Sequence, residues 1–125
     1  MSKQKETLRV FKNGEIVFQS NGGWLFPLFD LEEYLNSGEF FDRETLHLDD
    51  SVVGKAAAFL IARLGILSVN AGVMSRLGEE VLQSAKIEYQ YEELVDRIMC
   101  QTEELLAPIE DSNKAYELLR ERAGR

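Results

Sequence analysis

The sequence predicts an α/β domain: a mixed five-stranded sheet in a three-layer α-β-α arrangement that begins with an antiparallel hairpin. Three observations support this. An Asn13-Gly14 turn joins two strand-like segments, strand-like and helix-like segments then alternate along the chain, and residues 52–64 are apolar on nearly every side. Strands joined through helices lie parallel with right-handed crossovers, so only the first hairpin must be antiparallel.

The N-terminal hairpin is the clearest local signal. Asn13 and Gly14 both tolerate the positive φ that a two-residue turn of the primed type demands. The flanking segments, 8–12 and 15–19, are rich in strand-forming residues, and a two-residue loop places Arg9 opposite Phe18. Apolar residues then fall on both faces of the hairpin, which predicts helices on both sides of the sheet.

The later elements follow from apolar spacing and from capping residues. Asp49 or Asp50 is the expected N-cap of the second helix, Ser75 of the third, and Asp111 or Ser112 of the last. The predicted helices are 28–36, 52–64, 75–86 and 112–123, and the predicted strands are 45–48, 66–69 and 87–91, with a further helical turn over 92–98.

Length and composition predict one domain, 1–125, in which residues 1–6 are flexible. The net charge of -8 disfavours nucleic acid and anionic membranes as partners. The single cysteine, Cys100, excludes an intrachain disulfide and fits a reducing compartment. The polar first residues do not form a signal peptide, and the longest apolar run, 56–62, is too short to span a bilayer, so we expect a cytoplasmic protein.

Residues 50–58, DSVVGKAAA, resemble the D-x-V-V-G-K-A-A signature of the bacterial domain-of-unknown-function family 1893. Three other stretches are similar to that family: 27–28, 73–75 and 100–103, where Gln101 stands in place of the family's proline. The resemblance covers about residues 8–119. It implies a cytidine-deaminase-like fold and a protein to which no activity is assigned.

Deaminases of this fold hold zinc through an H-x-E stretch and a P-C-x-x-C stretch, each opening a helix. By element order, the matching places in this chain are 22–27 and 50–53, and neither contains histidine or cysteine. The chain has one histidine, His47, and one cysteine, too few for three soft ligands. The sequence therefore excludes a zinc-deaminase site built by this chain alone, and we expect no metal or other cofactor.

Asp50 and Lys55 are the first candidates for a binding site, because pockets in such sheets form beyond the carboxyl ends of parallel strands. Free N–H groups at a helix start, together with Lys55, suit a phosphate or carboxylate. The alternative is structural: Asp50 caps the helix while Lys55 reaches solvent or pairs with Asp49. Gly54 costs the helix about 1 kcal/mol relative to alanine, which suggests close packing or close approach of another group.

Four further residues complete the candidate site. Trp24, beside Gly22-Gly23, forms either a pocket wall or part of the core. Cys100 and Glu103 share a face on a helical turn, as a reactive or ligating pair or as a buried thiol and a solvated carboxylate. Ser75 is expected at the same cleft as a cap rather than a nucleophile.

The leading hypothesis is a domain that binds a small molecule, a nucleotide or an anion, without turning it over, as a regulator does. The first alternative is a metal-independent enzyme, a hydrolase or transferase, that uses Asp50 or Glu103 as a base. The second is a homodimeric interaction domain with Phe40 and Phe41 in the contact, unless these rings fold under as a satellite core. His47, in a short strand, is expected to be a hydrogen-bonded structural residue.

Overall fold

The structure, a computed structural model, describes residues 8–37, 42–98 and 101–124. Within them, five strands form one mixed sheet in the order β2-β1-β3-β4-β5, which confirms the predicted α/β class. The strands are β1 Leu8–Lys12, β2 Glu15–Ser20, β3 Leu46–Val53, β4 Ser68–Ser75 and β5 Glu88–Val95. The helices are α1 Phe26–Asn36, α2 Lys55–Leu64, α3 Arg76–Ser84, α4 Gln101–Leu106 and α5 Ser112–Ala123, with a short 3-10 turn at Arg43–Thr45.

The hairpin forms as predicted but contains a bulge. Strand β1 is antiparallel to β2 and β3, whereas β3, β4 and β5 are mutually parallel along the sheet. Asn13 and Gly14 both have positive φ, 53° and 83°. A register shift after Val10 pairs Arg9 with Gln19, so the expected pairing of Arg9 with Phe18 is wrong. Phe18 now pairs with Val10 and packs against the core.

The described helices pack on one face of the sheet. Six strand side chains on that face are at most 5% exposed: Leu8, Val10, Leu46, Leu48, Val69 and Ala71. On the opposite face the alternate residues are exposed or half-buried, and we call this surface the open face: Arg9, Phe11, His47, Asp49, Ser68, Asn70, Glu88 and Gln90.

The layering differs from the expected α-β-α arrangement. Right-handed crossovers from β3 to β4 and from β4 to β5 progress in one direction, which puts α2 and α3 on the same side of the sheet, where they contact each other. Helices α4 and α5 also pack on α2. The described residues therefore provide no helical layer over the open face, and the apolar residues of the hairpin on that side, such as Ile16, stay exposed.

Three strands are longer than predicted. The predicted strand 45–48 continues to Val53 because its second half pairs with β4. Asp49 and Asp50 are therefore strand residues, and the expectation that either caps a helix is wrong. The N-cap of α2 is Gly54. Strands β4 and β5 also pair with each other as far as Val95, so the predicted helical turn over 92–98 is wrong.

Helix ends that depend on local sequence agree with prediction. The Ser75 hydroxyl accepts a hydrogen bond from the backbone nitrogen of Gly78 at 3.0 Å and caps α3. Asp111 caps α5 through the backbone nitrogen of Asn113 at 2.9 Å. Gly65, with φ of 85°, ends α2 in the left-handed conformation. Among the described helices, none has both the length and the apolar character that crossing a bilayer requires.

Candidate functional site

A cleft of about 300 Å³ opens at the carboxyl end of β3, between the first turns of α1 and α2. This is the edge of the sheet at which a pocket was expected. Its walls are mostly apolar: Trp24, Leu25, Pro27, Leu28, Val52, Ala56, Ala57 and Ile98. Its polar side chains are those of Asp50, Ser51, Thr102 and Glu103. A cleft of this size and lining suits a small organic molecule.

Asp50 contributes a carboxyl group from strand β3. It is half-buried, and its carboxylate accepts hydrogen bonds from the backbone N–H groups of Ser51 and Val52. Burial raises the pKa of Asp50 from 3.8 to about 7, although these two hydrogen bonds act to lower it. Near neutral pH the group therefore exists in both protonation states, and it can accept a hydrogen bond from a ligand or donate one.

Glu103 closes the inner end of the cleft as a helix cap. It is only 2% exposed. Its Oε1 accepts the backbone N–H of Lys55 at 2.7 Å, and its Oε2 accepts that of Ile98 at 3.0 Å. The carboxylate therefore occupies the start of α2, the place expected to receive an anionic ligand. The prediction of a solvated Glu103 is wrong, because the carboxylate is buried and both of its oxygens accept backbone hydrogen bonds.

Gly54 permits this cap. A Cβ on Gly54 would lie 2.7 Å from Oε1 of Glu103 and 3.1 Å from the side chain of Ile98. These distances are shorter than van der Waals contact, so a larger residue would displace the carboxylate. This is the close approach that the sequence suggested at Gly54.

The Lys55 side chain runs away from the cleft. It is 3% exposed, and its ammonium group donates to the backbone oxygen of Ala107 at 2.9 Å and to the Glu110 carboxylate at 3.2 Å. The structure therefore does not bring Lys55 and Asp50 together. The proposed pairing of Lys55 with Asp49 is also absent, because Asp49 binds His47. The cause is the start of α2 at residue 55 rather than 52, which turns this side chain toward α4 and α5.

Trp24 forms the outer wall. Its indole Nε1 donates to the Thr102 hydroxyl at 3.0 Å, and its ring meets Phe26 edge-on with centroids 5.2 Å apart. The side chain is 42% exposed, so a ligand in the cleft can reach it. Sequence reasoning missed Thr102 and Ile98, because they approach the cleft only through tertiary contacts and carry no local signal.

Ser75 does not line the cleft. It is buried and its hydroxyl caps α3, whose Gly78 packs on the backbone of Gly54. Cys100 lies outside the described residues, as do Phe40 and Phe41, so their predicted roles stay predictions. The described residues contain no group of three or more His, Cys, Asp or Glu side chains arranged to hold a metal ion.

Comparison with known proteins places the chain in a family. The family model of TM1506, a domain of unknown function (DUF1893), matches residues 1–123. The crystal structure of a DUF1893 family protein, TM1506, from Thermotoga maritima has the same fold, with a TM-score of 0.83 at 20% identity over 94% of this chain and 80% of that one. No curated protein matches the chain significantly. The cytidine-deaminase likeness of the fold stays a prediction, and the chain belongs to the DUF1893 family.

Proposed function

We propose that this protein binds a small, largely apolar molecule in the cleft and recognises it through a hydrogen bond to Asp50. The observation that carries this proposal is a half-buried carboxyl group in an apolar-walled cleft of about 300 Å³. A carboxylate in such surroundings has lost hydration. A ligand that supplies an N–H donor or a cationic group restores the missing interaction, which makes the recognition both favourable and specific.

The chemistry of the cleft favours a neutral or cationic ligand over a phosphate. Glu103 already accepts the first N–H of α2, and the Lys55 ammonium group lies elsewhere. The two acidic side chains of the cleft, Asp50 and Glu103, repel an anion wherever they are charged. A nucleotide would accordingly bind through its base, with its phosphates outside the cleft. Binding without turnover, as in a cytoplasmic regulator, remains our leading proposal.

One observation favours a second candidate, a metal-independent hydrolase or transferase. The pKa of Asp50, about 7, suits a general base working at neutral pH. Glu103 is less suited to that role, because both of its oxygens accept backbone hydrogen bonds. Turnover that disappears in Asp50→Asn would favour this enzyme over a binding domain.

Tryptophan fluorescence reports on the cleft, because Trp24 lines it and is the one tryptophan of the chain. We would titrate the protein with adenine and benzamidine, two planar molecules with N–H donors, and with inorganic phosphate and AMP, and follow tryptophan fluorescence. The expected result is saturable quenching of the fluorescence by adenine, by benzamidine or by both, and no quenching by phosphate. Asp50→Asn should weaken that binding about tenfold or more, the range of a lost hydrogen bond to a charged group.

Two variants serve as controls. Asp96→Asn removes a carboxylate whose side chain is 93% exposed and outside the cleft lining, so it should leave binding unchanged. Lys55→Met should change affinity less than twofold, because its ammonium group points away. Phosphate binding that depends on Lys55 would contradict the proposed ligand class. No saturable response to any of these probes would contradict recognition through Asp50.

A further inference from the structure

The open face carries a hydrogen-bonded cluster of three side chains on the neighbouring strands β3 and β4. His47 Nδ1 lies 2.7 Å from the Ser68 hydroxyl, and His47 Nε2 lies 2.8 Å from Oδ1 of Asp49. None of these residues lines the cleft at Asp50, because they lie on the other side of the sheet. The cluster is therefore a separate feature, with a carboxylate, an imidazole and a hydroxyl in sequence.

The carboxylate of Asp49 determines which nitrogen of the His47 ring carries the hydrogen. A carboxylate only accepts hydrogen bonds, so the Nε2 atom facing Asp49 carries the hydrogen. In the neutral imidazole the Nδ1 atom is then the acceptor, and it faces the Ser68 O–H. An acid that orients a base, which in turn contacts a hydroxyl, activates serine nucleophiles in unrelated folds. The two ring nitrogens exchange places here, because Nδ1 rather than Nε2 faces the serine, but each still makes the same type of hydrogen bond.

The surroundings leave room for a substrate. His47 and Asp49 side chains are each 33% exposed, and a shallow depression of about 550 Å³ adjoins the cluster. His47, Ser68, Asn70 and Gln90 line this depression. Side-chain amides of the Asn and Gln type can donate hydrogen bonds to an oxyanion. Glu88 also lines it and disfavours a negatively charged substrate.

We propose that Ser68 is a nucleophile for acyl transfer, with His47 as its base and Asp49 as a positioning residue, and that its substrates are uncharged short-chain carboxylic esters. A shallow, open depression accommodates a short acyl group but cannot enclose a long one. This activity is independent of the ligand proposed for the cleft, because it uses other residues on the other face.

The reaction balances with an ester and water. The Ser68 oxygen attacks the ester carbonyl carbon while its proton passes to Nδ1 of His47. The bond to the alkoxy group then breaks, and His47 returns the proton to give the free alcohol and acyl-Ser68. Water next attacks the acyl carbon and yields a proton to His47, after which the acyl bond breaks, Ser68 regains its proton and the carboxylic acid leaves.

The test uses p-nitrophenyl acetate on the full chain, with release of nitrophenol followed by absorbance and the acetylated residue mapped by mass spectrometry. The expected result is one acetyl group at Ser68 and a burst of nitrophenol of matching size. Ser68→Ala should abolish both, and His47→Gln should slow acetylation about a hundredfold. Ser84→Ala, which changes an exposed serine at the end of α3, should have no effect.

Asp49→Asn should also slow acetylation, and Asp49→Glu should restore part of the rate because it returns the carboxylate. If the cluster only stabilised the pairing of β3 with β4, Asp49→Glu would not restore the rate of acetylation. The absence of acetylated Ser68 in the wild-type protein would overturn the proposal, whatever the variants do to folding. Equal acetylation of Ser68 in wild type and His47→Gln would overturn it as well.

Discussion

The Glu103 carboxylate accepts the first backbone N–H of helix α2, with its Oε1 atom 2.7 Å from the Lys55 nitrogen. The two residues are 48 positions apart in the sequence, so a tertiary contact caps this helix. A local cap is impossible at Gly54, which has no side chain. The other carboxylate oxygen accepts the backbone N–H of Ile98. A single buried group therefore joins three of the segments that line the cleft: α2, α4 and the segment after β5.

Removal of this carboxylate should destabilise the fold strongly. Glu103→Ala leaves the buried N–H of Lys55 and the partly buried N–H of Ile98 without acceptors. Each loss costs about 1–3 kcal/mol, so the free energy of unfolding should fall by about 2–6 kcal/mol, with the Ile98 group at the lower end. Glu103→Gln should lose less, because its amide oxygen still accepts one of the two. Urea denaturation monitored by circular dichroism measures both. Glu104→Ala, at the exposed neighbouring position, should change stability by at most about 0.5 kcal/mol, and a comparable loss there would contradict this account.

Gly78→Ala should destabilise the protein although alanine is the better helix former by about 1 kcal/mol. A Cβ at this position would lie 2.9 Å from backbone atoms of Gly54 and Val53, which cannot move aside as a side-chain end can. Helix α3 must shift instead, and we expect a net loss of about 1–3 kcal/mol. The matched control is Gly23→Ala, whose Cβ would meet no atom within 4 Å. A melting temperature raised by Gly78→Ala would refute the close packing.

The features that the sequence predicts well are those decided within a few residues. The Asn13-Gly14 turn, the Ser75 cap and the Asp111 cap each depend on one side chain or on positive φ, and all three form as expected. The order of the five strands and of α1, α2, α3 and α5 was also predictable, because apolar spacing is a local property, whereas α4 was not predicted. The cleft's position followed from that order.

The features that the sequence does not predict depend on contacts between distant segments. Asp50 follows an apolar strand segment and looks like a cap, but pairing of β3 with β4 extends the strand through it. That one shift also moves the start of α2 and turns Lys55 away from the cleft. Glu103 looks solvated in sequence, because nothing local shows that its carboxylate accepts the distant backbone N–H of Lys55 in the interior. That the described helices all lie on the side away from the open face likewise follows from crossover direction rather than from composition.

Loss of the Thr102 hydroxyl should loosen the outer wall of the cleft. Thr102→Val leaves the Trp24 indole N–H without its partner at 3.0 Å, which should cost about 1 kcal/mol of stability. The steady-state fluorescence anisotropy of Trp24 should fall, because the ring gains freedom. Thr102→Ser keeps the hydroxyl and should preserve the anisotropy. The same anisotropy in wild type and Thr102→Val would show that the hydrogen bond does not restrain the ring.

Asp50 should make the folded state less stable as pH rises from about 4 to 7. Its pKa is about 7 when folded, against 3.8 as the ordinary value, so over this interval the folded state binds more protons than the unfolded state. The stability that the protonated carboxyl contributes is fully present below a pH of 3.8 and is lost above a pH of about 7. A shift of this size corresponds to at most about 4 kcal/mol.

Asp50→Asn removes the ionisation while its amide oxygen still accepts the N–H groups of Ser51 and Val52. The variant should therefore be more stable than wild type at pH 8 and close to it at pH 4, as measured by urea midpoints across that range. Asp96→Asn, which changes a carboxylate 93% exposed, should follow the wild-type pH dependence. If the difference between wild type and Asp50→Asn does not change with pH, then the pKa of Asp50 is the same in the folded and unfolded states, and the carboxyl group is far more hydrated than the apolar walls of the cleft imply.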